Sequence, residues 1–309
     1  MSILITGGAG FIGSNLVDFL VDSGKDVIVL DDLSSGSILN LKKNIDKIEF
    51  FEETIEDFDL SKFSKISSVV HLAAQVSVPK SIENFKYSSQ KNIKGSINIL
   101  EFCSLNKIPV VYASSSAVYG GHEFGDDSSN KVDPLSPYAA DKYNMEIYSN
   151  TCSKVYGLSS IGLRFFNVYG PRQDPKNQYS GVISIFIDRM IKKKNITING
   201  GFQTRDFIYV DDVIKCICKS IEIVLSEKVC ETVNVLTGNS MTIDRLAELV
   251  ESNFDYEVER VYEELREGDI LHSTGSVNKM EKLLGINSEM LMKIENGLEN
   301  TIKSILHKK

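Results

Sequence analysis

The first half of the chain alternates short apolar runs with amphipathic segments. Each run is four or five residues long, which suits a buried strand, and apolar residues then recur at helical spacing. The predicted strands are residues 3–6, 27–31, 48–51, 69–73, 110–114 and 160–164. This alternation predicts an α/β fold with a Rossmann-like, doubly wound parallel sheet. A ligand of such a sheet lies beyond the carboxyl ends of its strands.

The pattern changes near Gly170. Loop-forming residues cluster after it, and helical patterns follow at 182–193, 213–225, 243–252 and 290–307. The strands in this part are too few for a second doubly wound sheet. We therefore predict a Rossmann domain over residues 1–170 and a smaller mixed α/β substrate-binding lobe over 171–309. Segments around 205–235 are expected to return to the first domain.

Composition limits the classes of partner. The 309 residues have a formal net charge of −8 and a pI near 5.2, which argues against nucleic acid. No apolar stretch reaches the ~18 residues of a membrane span. The five cysteines are odd in number and scattered, so they suit reduced thiols in a cytoplasmic protein better than disulfides or a metal site. We expect no metal, no nucleic acid and no membrane.

A glycine-rich turn follows the first predicted strand. Gly7, Gly10 and Gly13 are spaced as Gly-x-x-Gly-x-x-Gly, and an apolar helical pattern begins at Phe11. A strand that turns tightly into a helix brings backbone N–H groups and the helix N-terminus against a pyrophosphate. Side chains would block that approach, so the turn predicts a dinucleotide site.

Two carboxylates end the second predicted strand. Asp31 lies 18 positions after Gly13, close to the ~20 expected for a group that binds the adenosine ribose. Asp32 follows it directly. A 2′-phosphate would meet Asp31 as a like charge, and no Arg or Lys lies between Asp31 and Leu41. The sequence therefore predicts NAD as the cofactor and not NADP.

A Tyr-x-x-x-Lys pair lies at the start of a predicted helix. Ser136 can cap this helix, Pro137 suits its first turn, and Tyr138 and Lys142 share one face. A strand ends upstream in serine hydroxyls at 114–116. A nearby lysine and a cationic nicotinamide would both lower the pKa of the Tyr138 phenol. Together these groups form a base that removes an alcohol proton while hydride leaves the same carbon.

Over nearly its whole length, the chain resembles the extended short-chain dehydrogenases/reductases, and among them the NAD-dependent sugar-nucleotide epimerase/dehydratase family. The residues that carry the resemblance are 7–13, 31–33, 71–75, Asn92, 114–120, Tyr138, Lys142, 164–171, 203–210 and 266–269.

The resemblance implies roles for individual residues. Ser115, Tyr138 and Lys142 would be catalytic, with Lys142 also at the nicotinamide ribose. Ser115 and Tyr138 would contact the sugar, and Ser116 would lie beside it. The other implied cofactor contacts are Gly7, Gly10, Phe11, Ile12, Gly13, Asp31, Asp32, Thr54, Ile55, Ala73, Ala74, Gln75, Asn92 and Phe166. Where the family often has an acidic residue near the adenine, this chain has Thr54 and Ile55.

The resemblance also narrows the reaction. A 4,6-dehydratase typically carries an Asp-Glu pair after the strand-end hydroxyl, and Ser115 and Ser116 are followed here by Ala117 and Val118. Epimerisation at C4 of a UDP-hexose through a 4-keto intermediate remains, with UDP-glucose and UDP-galactose or their N-acetylhexosamine counterparts as substrates. A UDP-glucuronate 4-epimerase or decarboxylase is the alternative. A non-catalytic dinucleotide sensor is the alternative of another class.

The remaining implied residues anchor the substrate. Arg205 and Arg266 suit a diphosphate because guanidinium groups match phosphate oxygens. Similarity adds Asn167 at the diphosphate, Asp269 at the uridine, and Thr197, Ile198 and Asn199 at the uracil. Ser273 stands where a bulky residue restricts the sugar pocket of similar epimerases, so its small side chain leaves room for an N-acetyl group. The family also implies a homodimer formed by the helices around 92–103 and 138–156.

Overall fold

Seven parallel strands form the centre of the molecule. The computed structural model describes residues 1–129, 131–175, 181–265 and 270–306. Its strands are β1 (Ser2–Thr6), β2 (Val27–Asp31), β3 (Glu49–Glu52), β4 (Ile66–His71), β5 (Val110–Ser115), β6 (Ser160–Phe165), β7 (Asn167–Tyr169), β8 (Ile196–Asn199), β9 (Thr204–Tyr209), β10 (Cys230–Val235), β11 (Ser240–Thr242), β12 (Arg260–Glu263) and β13 (His272–Ser273). The central sheet has the order β10-β6-β5-β4-β1-β2-β3.

Helices cover both faces of this sheet. They are α1 (Phe11–Asp22), α2 (Val78–Glu83), α3 (Phe85–Ser89), α4 (Gly95–Asn106), α5 (Pro137–Tyr156), α6 (Val182–Ile191), α7 (Val210–Ser226), α8 (Ile243–Glu251) and α9 (Ile294–Leu306). A π-helical turn, Gln90–Lys94, joins α3 to α4. No helix in the described ranges has the length and apolar character needed to cross a bilayer.

The strand order reverses between β1 and β4. From β1 the chain adds β2 and β3 on one side, and then crosses to add β4, β5 and β6 on the other. Parallel doubly wound sheets bind ligands at such a reversal, because the loops that leave the two strands diverge and open a crevice. The predicted α/β fold is confirmed, and the reversal identifies the crevice.

The sequence placed β4 two to three residues too late. We expected residues 69–73, whereas the strand is Ile66–His71. Ile66 and Ser68 pair with β1 across an irregularity in the ladder, so the strand begins earlier than its apolar run. Residues after His71 leave the sheet because they pack against the turn at Gly7.

Two layers of apolar side chains fill the space around the sheet. On one face α1 and α7 pack together, and α7 also contacts β4, β5 and β6. On the other face α4 and α5 pack over Leu4, Val69 and Val110. β10 hydrogen-bonds to β6 as an edge of the central sheet. The later part of the chain thus contributes β10 to the central sheet and α7 to the layer on one of its faces. The division into two domains stays a prediction.

Two small sheets lie outside the central one. β9 pairs with β7, β11 and β13, and β8 pairs with β12. α6 and α8 pack against each other beside them. The last predicted helix, 290–307, begins later than expected, at Ile294. The preceding segment is instead held by the backbone N–H of Met292, which donates to Asp212 Oδ2 at 2.7 Å.

A buried ion pair connects α5 to the central sheet. Glu146 on α5 and Arg164 on β6 are each 6% exposed, with Arg164 Nε 2.9 Å from Glu146 Oε1 and Nη2 2.7 Å from Oε2. Ser114 Oγ also donates to Glu146 Oε1. Arg164 Nη1 donates to Tyr119 Oη at 2.8 Å, and that hydroxyl donates to Asn234 Oδ1 at 2.6 Å. The network fixes α5 against the ends of β5, β6 and β10.

We expect Arg164→Met to lower the free energy of unfolding by about 3–5 kcal/mol, because it leaves the Glu146 carboxylate buried without its partner. Equilibrium unfolding in urea measures this. The control is Arg245→Met, which breaks the exposed pair with Glu248 and is expected to cost less than about 1 kcal/mol. Similar losses in the two variants would contradict the argument.

Candidate active site

The glycine turn fits closely between the ends of β1 and β4. Gly7 has φ +72°, and a Cβ there would lie 2.7 Å from the backbone nitrogen of Ala73. A Cβ on Gly13 would collide with the carbonyl oxygen of Gly7. Gly10 is the N-cap of α1 and has no side chain to satisfy the first turn, so the N–H groups at Phe11 and Ile12 are free to bind an anion. The turn therefore has the features that a pyrophosphate requires.

Asp31 is fixed by two backbone donors. Its Oδ2 accepts from the N–H of Ala9 and its Oδ1 from the N–H of Leu33, both at 2.8 Å. Burial raises the pKa of the Asp31 carboxyl, and the two N–H groups oppose that shift. The bond to Ala9 attaches the carboxylate that we expect at the ribose to the glycine turn that we expect at the pyrophosphate. Sequence spacing did not identify Ala9, because a backbone donor leaves no residue signature.

The loop after β4 is held from α5 and from the π-helical turn. Asn92 accepts from the N–H of Gln75 at 2.8 Å and donates to the Gln75 carbonyl and to Asp141 Oδ2, both at 3.1 Å. The Gln75 amide is itself bonded to Ser77 and Ser88. Both side chains are used inside the protein. Ala73 and Ala74, which carry no polar side-chain group, are left partly exposed in the loop.

The structure brings the three predicted catalytic residues together. Tyr138 and Lys142 follow the Ser136 cap and Pro137 on one face of α5, as expected. Ser115 lies near the Tyr138 phenol at the end of β5, and its hydroxyl opposes the effect of burial on the phenol pKa. Lys142 Nζ lies 5.9 Å from the centroid of the Tyr138 ring and donates to the Ala113 carbonyl at 2.8 Å. An ammonium group has three donors, so two remain for a ligand.

Burial decides the electrostatics of this group. It raises the pKa of the Tyr138 phenol, with the Ser115 hydrogen bond acting in the opposite direction. It also lowers the pKa of Lys142 to about 8, against the attraction of Asp141. For the protein's own groups, desolvation of the Tyr138 phenol outweighs the effect of Ser115. The lowering of the Tyr138 pKa by Lys142 and a cationic nicotinamide stays a prediction for the protein with its dinucleotide bound.

Sequence reasoning missed two residues that position Tyr138. Asp141 is 4% exposed and accepts from Ser89 Oγ at 2.8 Å as well as from Asn92, so it joins α5 to the π-helical turn. Ser81 Oγ accepts from the Tyr138 backbone N–H at 3.2 Å. Asp141 lies between Tyr138 and Lys142 in the sequence, but nothing in its local pattern distinguishes it from a surface carboxylate.

Four further residues that we expected to contact the cofactor are buried or only partly exposed. Ile55 is 7% exposed and packs in the core, against Gly95, and its carbonyl accepts from Asn98. Its neighbour Thr54 is partly exposed. Phe166 is also buried, and its ring lies 6.4 Å from that of Tyr119. Asp32 is partly exposed and pairs with Lys91 at 3.0 Å.

The expected substrate residues fall into two groups. One lies around β9: Asn167 donates to the Asp206 carbonyl at 3.0 Å, and the β9–β13 ladder sets Ser273 beside Arg205. Arg205 Nη1 donates to the Ile270 carbonyl at 2.7 Å. Apart from both groups, Ser116 begins the turn after β5 and is partly exposed.

The second group lies on β8. Thr197 is exposed, but Ile198 is only 1% exposed in the core, so its side chain cannot meet a base. The Asn199 amide donates to Glu263 Oε2 at 3.0 Å. Arg266 and Asp269 lie outside the described residues.

These residues fit a bound dinucleotide. The side-chain-free turn at Gly7–Gly13 matches the pyrophosphate, and Asp31 matches the adenosine ribose. Lys142 has donors left for the second ribose. The phenol of Tyr138 lies near Ser115, at the carboxyl end of β5. This arrangement allows the Tyr138 phenolate to accept a proton from an alcohol that lies between Tyr138 and the nicotinamide ring.

Comparison with known proteins agrees with this geometry. The model of the NAD dependent epimerase/dehydratase family matches residues 3–235. A UDP-glucose 4-epimerase from Thermotoga maritima, solved with UDP-glucose, superposes with a TM-score of 0.92 at 34% identity, covering 100% of this chain and 99% of that one.

Two further proteins are similar over almost the whole length. A UDP-N-acetylglucosamine 4-epimerase from Methanobrevibacter ruminantium, solved with UDP-N-acetylmuramic acid, gives a TM-score of 0.93 at 37% identity and covers 100% and 99% of the two chains. A UDP-glucuronate 4-epimerase from Thermodesulfobacterium geofontis is 34% identical over 314 residues, covering 97% of this chain and 94% of that protein.

Proposed function

The chain belongs to the NAD dependent epimerase/dehydratase family, and on that premise we propose that it interconverts UDP-hexoses epimeric at C4. The observation that carries the proposal is the placement of Tyr138 near Ser115 at the end of β5, with Lys142 Nζ 5.9 Å from the centroid of the Tyr138 ring on the same helical face. Bound NAD supplies a nicotinamide ring that accepts a hydride from C4 and returns it to the other face of the sugar. The net reaction then consumes no oxidant.

The chain's own residues accept and return the proton of the 4-hydroxyl. The Tyr138 phenolate accepts the proton of the 4-hydroxyl and returns it when the ketone is reduced. The Ser115 hydroxyl lowers the pKa of the phenol and so favours the phenolate. Lys142 is held by the Ala113 carbonyl, so its amino group stays beside the phenol. The turn after Ser115 carries no carboxylate that could assist the elimination of water.

Substrate anchoring is assigned to the region around β9. Arg205 and Asn167 lie on or next to this strand, and a guanidinium group suits the diphosphate of a UDP-sugar. The 4-keto sugar must turn over while the nucleotide remains bound. The Thermotoga and Methanobrevibacter epimerases were solved with UDP-sugars, one of them acetylated, which supports a UDP-hexose or UDP-N-acetylhexosamine here. Interconversion of UDP-glucose and UDP-galactose would place the protein in galactose metabolism.

One assay tests the proposal. The purified protein is incubated without added NAD with UDP-glucose, UDP-galactose, UDP-GlcNAc, UDP-GalNAc or UDP-glucuronate, and the products are separated by anion-exchange chromatography. We expect a C4 epimer from at least one neutral sugar. Turnover of UDP-glucuronate alone would favour the alternative suggested by the Thermodesulfobacterium relative. NAD binding with no turnover of any sugar would overturn the proposal in favour of a dinucleotide sensor.

We expect Tyr138→Phe to lower kcat by about 10²–10⁴-fold, since it removes the hydroxyl that transfers the proton. Binding of NAD and of the UDP-sugar should stay within about twofold of the wild type, because the ring remains. The control is Tyr148→Phe, which removes an exposed hydroxyl from the same helix. A kcat near the wild-type value in Tyr138→Phe would refute the assignment.

We expect Ser273→Tyr to lower the rate on acetylated sugars relative to plain hexoses by about 10–200-fold, because the larger ring fills the room left for the N-acetyl group. The ratio of kcat/KM for UDP-GlcNAc and UDP-glucose measures this. Ser240→Tyr makes the same change at an exposed position of the same sheet and should leave the ratio unchanged. An unaltered ratio in Ser273→Tyr would place the sugar elsewhere.

A homodimer is the proposed assembly. The outer faces of α4 and α5 expose Ile97, Leu105, Ile147, Val155 and Tyr156, between 39% and 66% each. An apolar groove beside them is lined by Phe85, Ile93 and Ile97. Exposed apolar side chains grouped on neighbouring helices are typical of an interface. Two copies that pair these helices would bury it in a four-helix arrangement.

The mass in solution tests the dimer. Light scattering after gel filtration should give about twice the 34.4 kDa of one chain. A double change, Ile147→Lys with Val155→Lys, should shift the protein to the monomer because it buries two charges in the contact. Leu39→Lys, at a side chain 71% exposed away from these helices, is the matched control. A wild-type monomer would contradict the proposal.

A cytoplasmic location is the last part of the proposal. All five cysteines are free in the structure, and Cys103, Cys152 and Cys216 are buried. Free thiols suit a reducing compartment.

A further inference from the structure

Three charged side chains from three separate elements meet near the end of β2. Lys91 Nζ, on the π-helical turn, lies 3.0 Å from Asp32 Oδ2 and 2.8 Å from Glu56 Oε1. The side chains of Asp32, Lys91 and Glu56 are 24%, 23% and 11% exposed. Nothing in the sequence indicates this contact, because the three residues are far apart along the chain. We call these three residues the Lys91 cluster.

The cluster is held in place on every side. Asp32 Oδ1 accepts from the backbone N–H of Ser34 at 3.0 Å and from its hydroxyl, which leaves Oδ2 for Lys91. Lys91 precedes Asn92, whose amide is fixed by Gln75 and Asp141. By contrast, the neighbouring pair Lys94–Asp57 is 55% and 75% exposed. The ammonium of Lys91 therefore occupies a defined position.

This position adjoins the expected adenosine ribose. Asp31, which is assigned to the ribose hydroxyls, is the residue before Asp32. Burial by itself lowers the pKa of Lys91, but the bonds to Glu56 and Asp32 outweigh that effect, so the pKa is raised. Hydrogen bonds from Ser34 and Lys91 lower the pKa of Asp32 despite its burial. Both shifts favour the charged forms of Lys91 and Asp32 at neutral pH.

We propose that Glu56 is a cofactor-specificity residue, which engages Lys91 so that no free ammonium is available to a 2′-phosphate. NADP differs from NAD only by that phosphate, and its recognition requires a nearby cation. No Arg or Lys lies between Asp31 and Leu41 in the sequence. The fold nevertheless brings Lys91, which is 59 residues beyond Asp32, into contact with Asp32. The cation is present, and two carboxylates neutralise it. Selection against NADP thus depends on Glu56 as well as on Asp31.

Stability does not explain the cluster. Ion pairs with partly exposed partners contribute little to unfolding free energy, because solvent screens them and the side chains lose conformational freedom. A lysine between two carboxylates near a nucleotide site has a larger effect on which anion can enter. We expect the effect of Glu56 on NADP binding to act through Lys91. A variant that also lacks Lys91 measures that dependence separately.

Titration of cofactor-stripped protein with NAD and with NADP by calorimetry tests the proposal. Glu56→Gln keeps the shape of the side chain and frees Lys91, so we expect the ratio of the NADP Kd to the NAD Kd to fall about tenfold. Glu53→Gln removes the same charge from an exposed site close by and should leave the ratio within about twofold. Equal shifts in the two variants would reduce the effect to net charge and overturn the proposal.

The double variant Glu56→Gln with Lys91→Gln decides whether Lys91 is responsible. If the freed ammonium binds the 2′-phosphate, removing it should cancel the gain of the single variant. A gain that persists in the double variant, or no gain in Glu56→Gln, refutes the role of Glu56. Should Glu56→Gln not fold, Asp32→Asn carries the test, since it frees Lys91 from the other side and should lower the same ratio.

A second measurement needs no stripped protein. Mass spectrometry of the dinucleotide released from purified protein should find NAD alone in the wild type and a fraction of NADP in Glu56→Gln. Unchanged NAD occupancy in the variant counts against the proposal. Both readouts measure binding and not turnover, so they are independent of the sugar chemistry proposed above.

Discussion

The buried ion pair between Glu146 and Arg164 sets the position of α5, the helix that carries Tyr138 and Lys142. Glu146 lies two turns beyond Tyr138 and one beyond Lys142, on the same face of α5. Its carboxylate binds Arg164 on β6 and Ser114 on β5, and Ser114 precedes Ser115. The distance between phenol and serine therefore depends on a contact that touches neither. Two charges removed from water are tolerated here because each is matched by several hydrogen bonds.

The same network extends towards the sugar side of the crevice. Tyr119 connects Arg164 to Asn234 on β10, and Asn234 donates to the carbonyls of Gly125 and Ser276. Gly125 in turn bonds to the segment that follows Ser273. One continuous set of buried polar contacts thus joins the catalytic helix to the strand beside Arg205. Such a set holds its geometry because any unpaired member would be costly in a low dielectric.

Side chains near the cofactor crevice are largely engaged by the protein itself. Asn92, Gln75 and Asp141 bond to one another, to serines or to backbone, and Asp31 accepts two backbone N–H groups. The surface left for a dinucleotide consists mainly of glycine, alanine and backbone. Side chains held by the protein therefore shape the crevice, and backbone groups are left to contact a dinucleotide. The orientation of the lining groups is thus fixed before binding.

Local periodicity and fixed spacing along single elements were enough to predict the doubly wound sheet, the glycine turn, Asp31 and the Tyr138–Lys142 pair. They also predicted Ser115 at a strand end, since parallel strands bring their carboxyl ends to one edge. Three features became visible only in the folded chain: Ile55 and Ile198 face the core, burial raises the Tyr138 pKa, and Lys91 reaches Asp32 and Glu56. Burial and charge pairing depend on elements distant in the chain, and local patterns carry no record of those partners.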